Sequence, residues 1–185
     1  MPHVQRTELD GVLLIVPARH GDARGFFAET YNRSVFHEIG VNSDFIQDNH
    51  SQSRLPGTVR GLHFQIAPFA QAKLVRVLRG VVCDVAVDIR RSSATYGRSF
   101  TAILSAENGA QLFVPAGFAH GYCTLESDTE VFYKVDAAYS RDHERGLRWD
   151  DPALGIDWPM PESGAIVLER DRSYPTLEAL PLFFN

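Results

Sequence analysis

Apolar positions along the chain come in short blocks that alternate with polar ones or run unbroken for four to eight residues, the spacing of β-strands and not of amphipathic helices. The pattern predicts ten strands: 12–16, 26–31, 45–53, 59–65, 73–79, 80–89, 100–104, 111–114, 119–125 and 130–135. Most are separated by Gly, Pro, Asn or Asp. Ten short strands with almost no helical periodicity point to a sandwich or jelly-roll barrel. One short helix is expected over 34–39, with Ser34 as its cap, Val35, Phe36 and Ile39 on one face and Gly40 as its stop. The last forty residues, which carry Pro152, Pro159, Pro161 and Pro175, read as a loop-rich wrap around the barrel.

Strand alternation then assigns directions. Over 73–78, Lys73, Val75 and Val77 face one way and Leu74, Arg76 and Leu78 the other; over 130–136, Val131, Tyr133 and Val135 share a face. One lysine and one tyrosine on otherwise apolar faces fit either a polar site inside a barrel or a snorkelling lysine and a hydrogen-bonded core tyrosine.

Length and composition narrow the class. A chain of 185 residues suits one domain, 1–185, and 44% hydrophobic with 22% charged residues is ordinary for a globular protein. No stretch approaches the roughly 18 apolar residues of a membrane span, and no signal peptide is readable, so the expected protein is soluble and cytoplasmic. Cys83 and Cys123 lie in apolar strands and are expected as packed, reduced thiols. A net charge of -5 argues against nucleic acid as a partner but leaves room for a small anion held by local cations. Sixteen of the 18 basic residues are arginine, whose planar fork suits carboxylate and phosphate; the two lysines are Lys73 and Lys134.

The candidate chemistry centres on Arg60-Gly61-Leu62-His63-Phe64-Gln65. The run Gly109 to Gly121 has the form G-x5-P-x-G-x2-H and resembles the second motif of the cupin superfamily, which supports an all-β, cupin-type jelly-roll barrel with short peripheral helices. In metal-binding cupins an earlier H-x-H and a following glutamate supply the other ligands. Here the second histidine is replaced by Gln65, the first glutamate after His63 is Glu107, and Thr124 stands where the pattern has asparagine. His63 and His120 alone are a thin set for a transition metal, so no metal is expected. A neutral core histidine and a general base are the other readings of His63, and a base needs a carboxylate partner and an acid.

Taken together, RGLHFQ, Lys73 ten residues beyond the histidine, PAGFAHG, VFYKVD and LERDR, with GDARGFFAET and QDNHSQS upstream, resemble the dTDP-4-dehydrorhamnose 3,5-epimerase family over nearly the whole chain. The resemblance implies a cofactor-independent jelly-roll homodimer with exchanged N-terminal strands, no metal and no membrane. Its substrate would be a dTDP-4-keto-6-deoxyhexose, dTDP-4-dehydro-6-deoxy-D-glucose, inverted at both carbons next to the ketone to give dTDP-4-dehydro-L-rhamnose. It further implies His63 as proton acceptor, Asp171 as its orienting carboxylate, Tyr133 as proton donor and Lys73 as stabiliser of the charge on O4. Substrate contacts would come from Arg24, Glu29, Gln47, Asp48, Asn49, Arg60, Lys73, His120, Glu144 and Arg170, with Tyr139 stacked on thymine. The chain departs from the family in having Leu168 three residues before Asp171, where serine is frequent. Single-centre 3- or 5-epimerases, a metal-dependent cupin oxygenase or isomerase, and a non-catalytic sugar-binding cupin are the alternatives.

Overall fold

The computed structural model describes all 185 residues. Its strands are His3–Arg6 (β1), Leu13–Val16 (β2), His20–Asp22 (β3), Gly25–Phe27 (β4), Gln47–Ser53 (β5), Val59–Gln65 (β6) and Lys73–Arg79 (β7). They continue with Val81–Asp88 (β8), Ser99–Ser105 (β9), Gln111–Val114 (β10), Phe118–Thr124 (β11), Thr129–Val135 (β12) and Glu144–Gly146 (β13). Two antiparallel sheets result, one in the order β1-β2-β10-β7-β12-β5 and one in the order β13-β6-β11-β8-β9, and β3 and β4 form a separate hairpin. Each sheet draws strands from distant parts of the chain, the arrangement of a cupin-type jelly roll.

The facing surfaces enclose a core that includes Val75, Val77, Val82, Ala86, Leu104, Leu112, Phe118, Tyr122 and Val131. Both outer faces are covered too. Leu13, Ile15, Leu74 and Phe113 pack under the short helix Arg33–Glu38 (α1) through Phe36 and nearby Val41. Leu62, Cys83, Val85, Val87 and Ala119 pack under the C-terminal wrap through Leu154, Leu180, Trp158 and Phe184. Coverage on both sides explains why β8 reads as a nearly unbroken apolar run: every residue from Val82 to Asp88 is buried. Cys83 and Cys123 stand opposite each other on β8 and β11, buried and unpaired.

All ten expected strands exist, with ends displaced by a residue or two except 26–31, of which only residues up to Phe27 are strand. Strands β1, β3 and β13 are short and have little apolar content, so alternation did not mark them. Helix α1 is capped by Asn32 and not by Ser34: the Asn32 side-chain oxygen accepts the Ser34 and Val35 amides at 3.1 and 3.4 Å. Gly40 follows at φ +99°, a left-handed position that ends the helix. A one-turn helix, Glu169–Arg172 (α2), is set in the C-terminal wrap.

Candidate active site

At one end of the barrel the apolar core gives way to a polar cavity of two adjoining lobes, each about 230 Å³, which share His63, Lys73, Tyr133 and Glu144. His63 enters from β6 of the five-stranded sheet, and Lys73 and Tyr133 from β7 and β12 of the six-stranded sheet. Tyr133 lies in register with Val75 and Asn49, so Asn49, Tyr133 and Lys73 present side chains to the same interior face.

A bulge in β6 decides how His63 is aimed. On β11, His120 and Tyr122 are two residues apart, yet their partners on β6, His63 and Arg60, are three apart. The extra residue breaks the alternation, so Arg60 and His63 both line the inner lobe. Gly61 sits at this point with φ +126°, and a Cβ there would lie 2.7 Å from the Gly121 Cα and 2.8 Å from the His120 carbonyl oxygen. Its amide, outside the ladder, donates to Asp171 Oδ2 at 3.2 Å.

Asp171, delivered by α2 and 1% exposed, takes the His63 Nε2 hydrogen on Oδ1 at 2.9 Å. An ionised carboxylate only accepts, so the imidazole carries its hydrogen on Nε2 and keeps a basic Nδ1. Burial pushes the Asp171 pKa up, but the His63 bond, the Gly61 amide and the Arg170 charge outweigh it and hold the carboxyl below its ordinary range. Tyr174 meets the His63 ring edge-on at 5.8 Å between centroids, and Gly146 leaves the space for the Tyr174 ring.

The Lys73 ammonium donates to the His63 carbonyl oxygen at 3.2 Å. Burial lowers its pKa to about 8, with Asp84 and Glu144 opposing the fall. Burial raises the pKa of Tyr133, which stays a neutral phenol at pH 7. His120 donates through Nε2 to Asp84 Oδ1 at 2.9 Å, and burial lowers its pKa despite that carboxylate.

Gln65, where a metal cupin has histidine, is structural: its amide donates to the Phe69 and Ala138 carbonyl oxygens at 2.7 and 3.1 Å and accepts the Ser140 amide at 2.7 Å. Gln47 accepts the Tyr139 amide at 3.3 Å, so two glutamines pin the loop that carries Tyr139 at the mouth. Glu144 accepts from the Tyr139 hydroxyl at 3.2 Å and from Arg170 at 2.8 Å. No cluster of three or more His, Cys, Asp or Glu side chains is arranged to hold a metal ion.

Of the residues marked in the sequence, His63, Lys73, Tyr133, Asp171, Gln47, Asn49, Arg60, His120, Tyr139, Glu144 and Arg170 line this cavity. Three others do not reach it within the chain. Asp48 points out of the barrel to Lys134 Nζ, 2.8 Å away, because alternation on β5 places it opposite to Gln47 and Asn49. Arg24 is at the exposed tip of the β3–β4 hairpin, paired with Asp22, and Glu29 lines a separate depression beside Phe27 and Val35. Sequence reasoning passed over Asp84, Tyr174, Tyr122 and Ser51. Asp84 carried a signal, a lone acid on the same face of β8 as Val82 and Ala86; Tyr174 carried none.

A jelly roll with a histidine–carboxylate pair, a buried lysine and a phenol around one internal cavity defines an isomerase-type site built for moving protons on a small ligand. The comparisons with known proteins agree. The family model described as dTDP-4-dehydrorhamnose 3,5-epimerase matches residues 6–179. A relative of that name from Sinorhizobium fredii is 52% identical over 99% of this chain and 93% of its own. Another, from Escherichia coli K12, is 45% identical over 96% of each. Among solved structures, the dTDP-6-deoxy-D-glucose-3,5-epimerase from Legionella pneumophila, in complex with dTDP-4-keto-L-rhamnose, superposes with a TM-score of 0.95 at 38% identity, over 100% of this chain and 98% of the other. The Bacillus anthracis enzyme with TDP and PPi bound gives 0.91 at 46% identity, over 95% and 99%. The chain belongs to the dTDP-4-dehydrorhamnose 3,5-epimerase family.

Proposed function

We propose that the protein converts dTDP-4-dehydro-6-deoxy-D-glucose to dTDP-4-dehydro-L-rhamnose by proton transfer at C3 and C5, with its own side chains as the only acids and bases. The observation that carries this reading is the His63–Asp171 pair, anchored by the bulge amide, with Nδ1 unbonded in a cavity also lined by Lys73 and Tyr133.

Both carbons are α to the C4 ketone, so loss of either proton gives an enolate. His63 Nδ1 accepts the proton, and Asp171 steadies the resulting imidazolium. The Lys73 ammonium, held in a poorly solvated place, compensates the charge that grows on O4. Tyr133, entering from the opposite sheet, gives its phenolic proton to the other face of the enolate, which inverts the centre; solvent then restores the phenol and removes the proton from His63.

Arg60 and Arg170 suit the diphosphate, and Tyr139, 55% exposed at the mouth, suits a base-stacking role. Gln47, Asn49, His120 and Glu144 contact the sugar and nucleoside. Arg24 and Glu29 act from a second copy of the chain in a homodimer. In support, the β3–β4 hairpin leaves Phe26 and Phe27 62% and 70% exposed. The hairpin strands pair only with each other, outside both large sheets, which suits a segment that reaches a partner. The unpaired thiols agree with a cytoplasmic location, and no helix is long and apolar enough to cross a membrane.

Proton NMR of the reaction in D2O tests the proposal. Deuterium appears at both C3 and C5; label at only one of them rejects double epimerisation, and label at neither rejects the base.

A further inference from the structure

The inner lobe of the cavity is lined by charged, hydroxyl, imidazole and phenol groups, with one aliphatic side chain among them, Leu168. That leucine is 66% exposed, although it lies three residues from a carboxylate that is 1% exposed. Its backbone is held: the Leu168 carbonyl oxygen accepts the Asp171 amide at 2.9 Å and the Arg172 amide at 3.1 Å. The leucine is thus tied, within a single helical turn, to the carboxylate that orients His63. No packed partner covers it, and it belongs to none of the apolar clusters that stabilise the fold.

A 4-keto-6-deoxyhexose is polar around its whole ring except for one group, the methyl on C5. This methyl is borne by C5, one of the two carbons from which His63 removes a proton. We propose that Leu168 is the wall against which this methyl packs, which makes it a specificity-determining residue for 6-deoxy over 6-hydroxy sugars. The inference rests on the nucleotide-sugar reading above. Docking the methyl removes two apolar surfaces from water, whereas a 6-hydroxymethyl group in the same place buries a hydroxyl against a side chain that offers it no hydrogen bond. Discrimination of this kind, one group against an apolar wall, is worth about ten- to one-hundred-fold.

Isothermal titration with dTDP, dTDP-6-deoxy-D-glucose and dTDP-D-glucose, the last two differing by one hydroxyl, tests it on the wild-type protein, Leu168→Ser and Leu168→Met. Wild type is expected to bind the deoxy sugar about ten-fold more tightly than the hydroxy sugar. In Leu168→Ser the ratio falls to within about two-fold, in Leu168→Met it is retained, and the affinity for dTDP is the same in all three. An unchanged ratio in the serine variant, or a wild-type ratio near one, overturns the role of Leu168 while dTDP binding leaves the functional reading standing. Failure of wild type to bind dTDP overturns both.

Discussion

The molecule contains two histidine–aspartate pairs with the same 2.9 Å contact through Nε2, His63–Asp171 and His120–Asp84, and they sit in different surroundings. The His63 side chain is 22% exposed and its carboxylate is fully used, one oxygen on the imidazole and the other on the Gly61 amide. The His120 side chain is 7% exposed, and Asp84 Oδ2 has no partner. Burial lowers the pKa of His120, whereas at the other pair the pKa of Asp171 is held down and its charge is secured. The same contact therefore yields two tools. In the proposed mechanism His63 takes a proton and has the charge compensated, and His120, its pKa lowered by burial, is a fixed neutral contact for the ligand.

Removal of the two imidazoles separates these roles most sharply. His63→Ala lowers the rate of deuterium incorporation at C3 and C5 by about 10³-fold or more with dTDP affinity preserved. His120→Ala weakens substrate binding by about ten-fold and leaves bound substrate able to exchange. Equal loss of exchange in both variants would break the distinction. The carboxylates give the next contrast. Asp171→Asn costs about 10² to 10³ in kcat because the amide no longer fixes the tautomer or stabilises imidazolium, whereas Asp84→Asn costs about ten-fold or less. Steady-state rates of the two variants, measured side by side, decide it.

A smaller effect is a pH limb. In the proposed mechanism Lys73 acts as the ammonium, and burial lowers its pKa to about 8. The profile of kcat/KM is therefore expected to fall as pH rises through about 8, and Lys73→Arg moves the fall upward. The same shift has a sign for stability. The folded chain gives up this proton at lower pH than the unfolded chain, whose value is near 10.5, so the contribution of Lys73 to stability rises between about pH 8 and 10.5. Denaturant midpoints of wild type and Lys73→Met across that window show the difference. A change confined to one half of the reaction is expected from Tyr133→Phe. It slows product formation by about ten- to one-hundred-fold and abstraction less, so solvent exchange into recovered substrate outpaces epimerisation. Wild-type product yield from this variant removes the phenol from the proposed role.

Local patterning carried much of the fold. The strands of both large sheets follow from alternation and turn residues, and the faces of Lys73, Tyr133 and Val131 read correctly because Lys73 to Val77 and Val131 to Val135 pair in unbroken register, the one shift falling beyond them at Glu130. The helix was placed correctly but its cap was not: Asn32 and Ser34 are both good caps, and only the extended backbone at Asn32 chose between them. His63 was visible as a polar group in an apolar strand, yet plain alternation would have put Arg60 and His63 on opposite faces.

By itself, then, the sequence determined the antiparallel strands, the apolar faces that bury them and the chemical types assembled at one end of the barrel, because these depend on the order of neighbouring side chains. Only the tertiary structure decided that Asp171, 108 positions from His63, closes on it. It also decided that an extra residue at Gly61 turns two side chains into one cavity, that Gln65 anchors a loop, that Asp48 points away from the site and that Arg24 does not reach the cavity of its own chain. Those outcomes depend on strand register, on a close backbone approach and on contacts between distant segments, none of which leaves a local pattern.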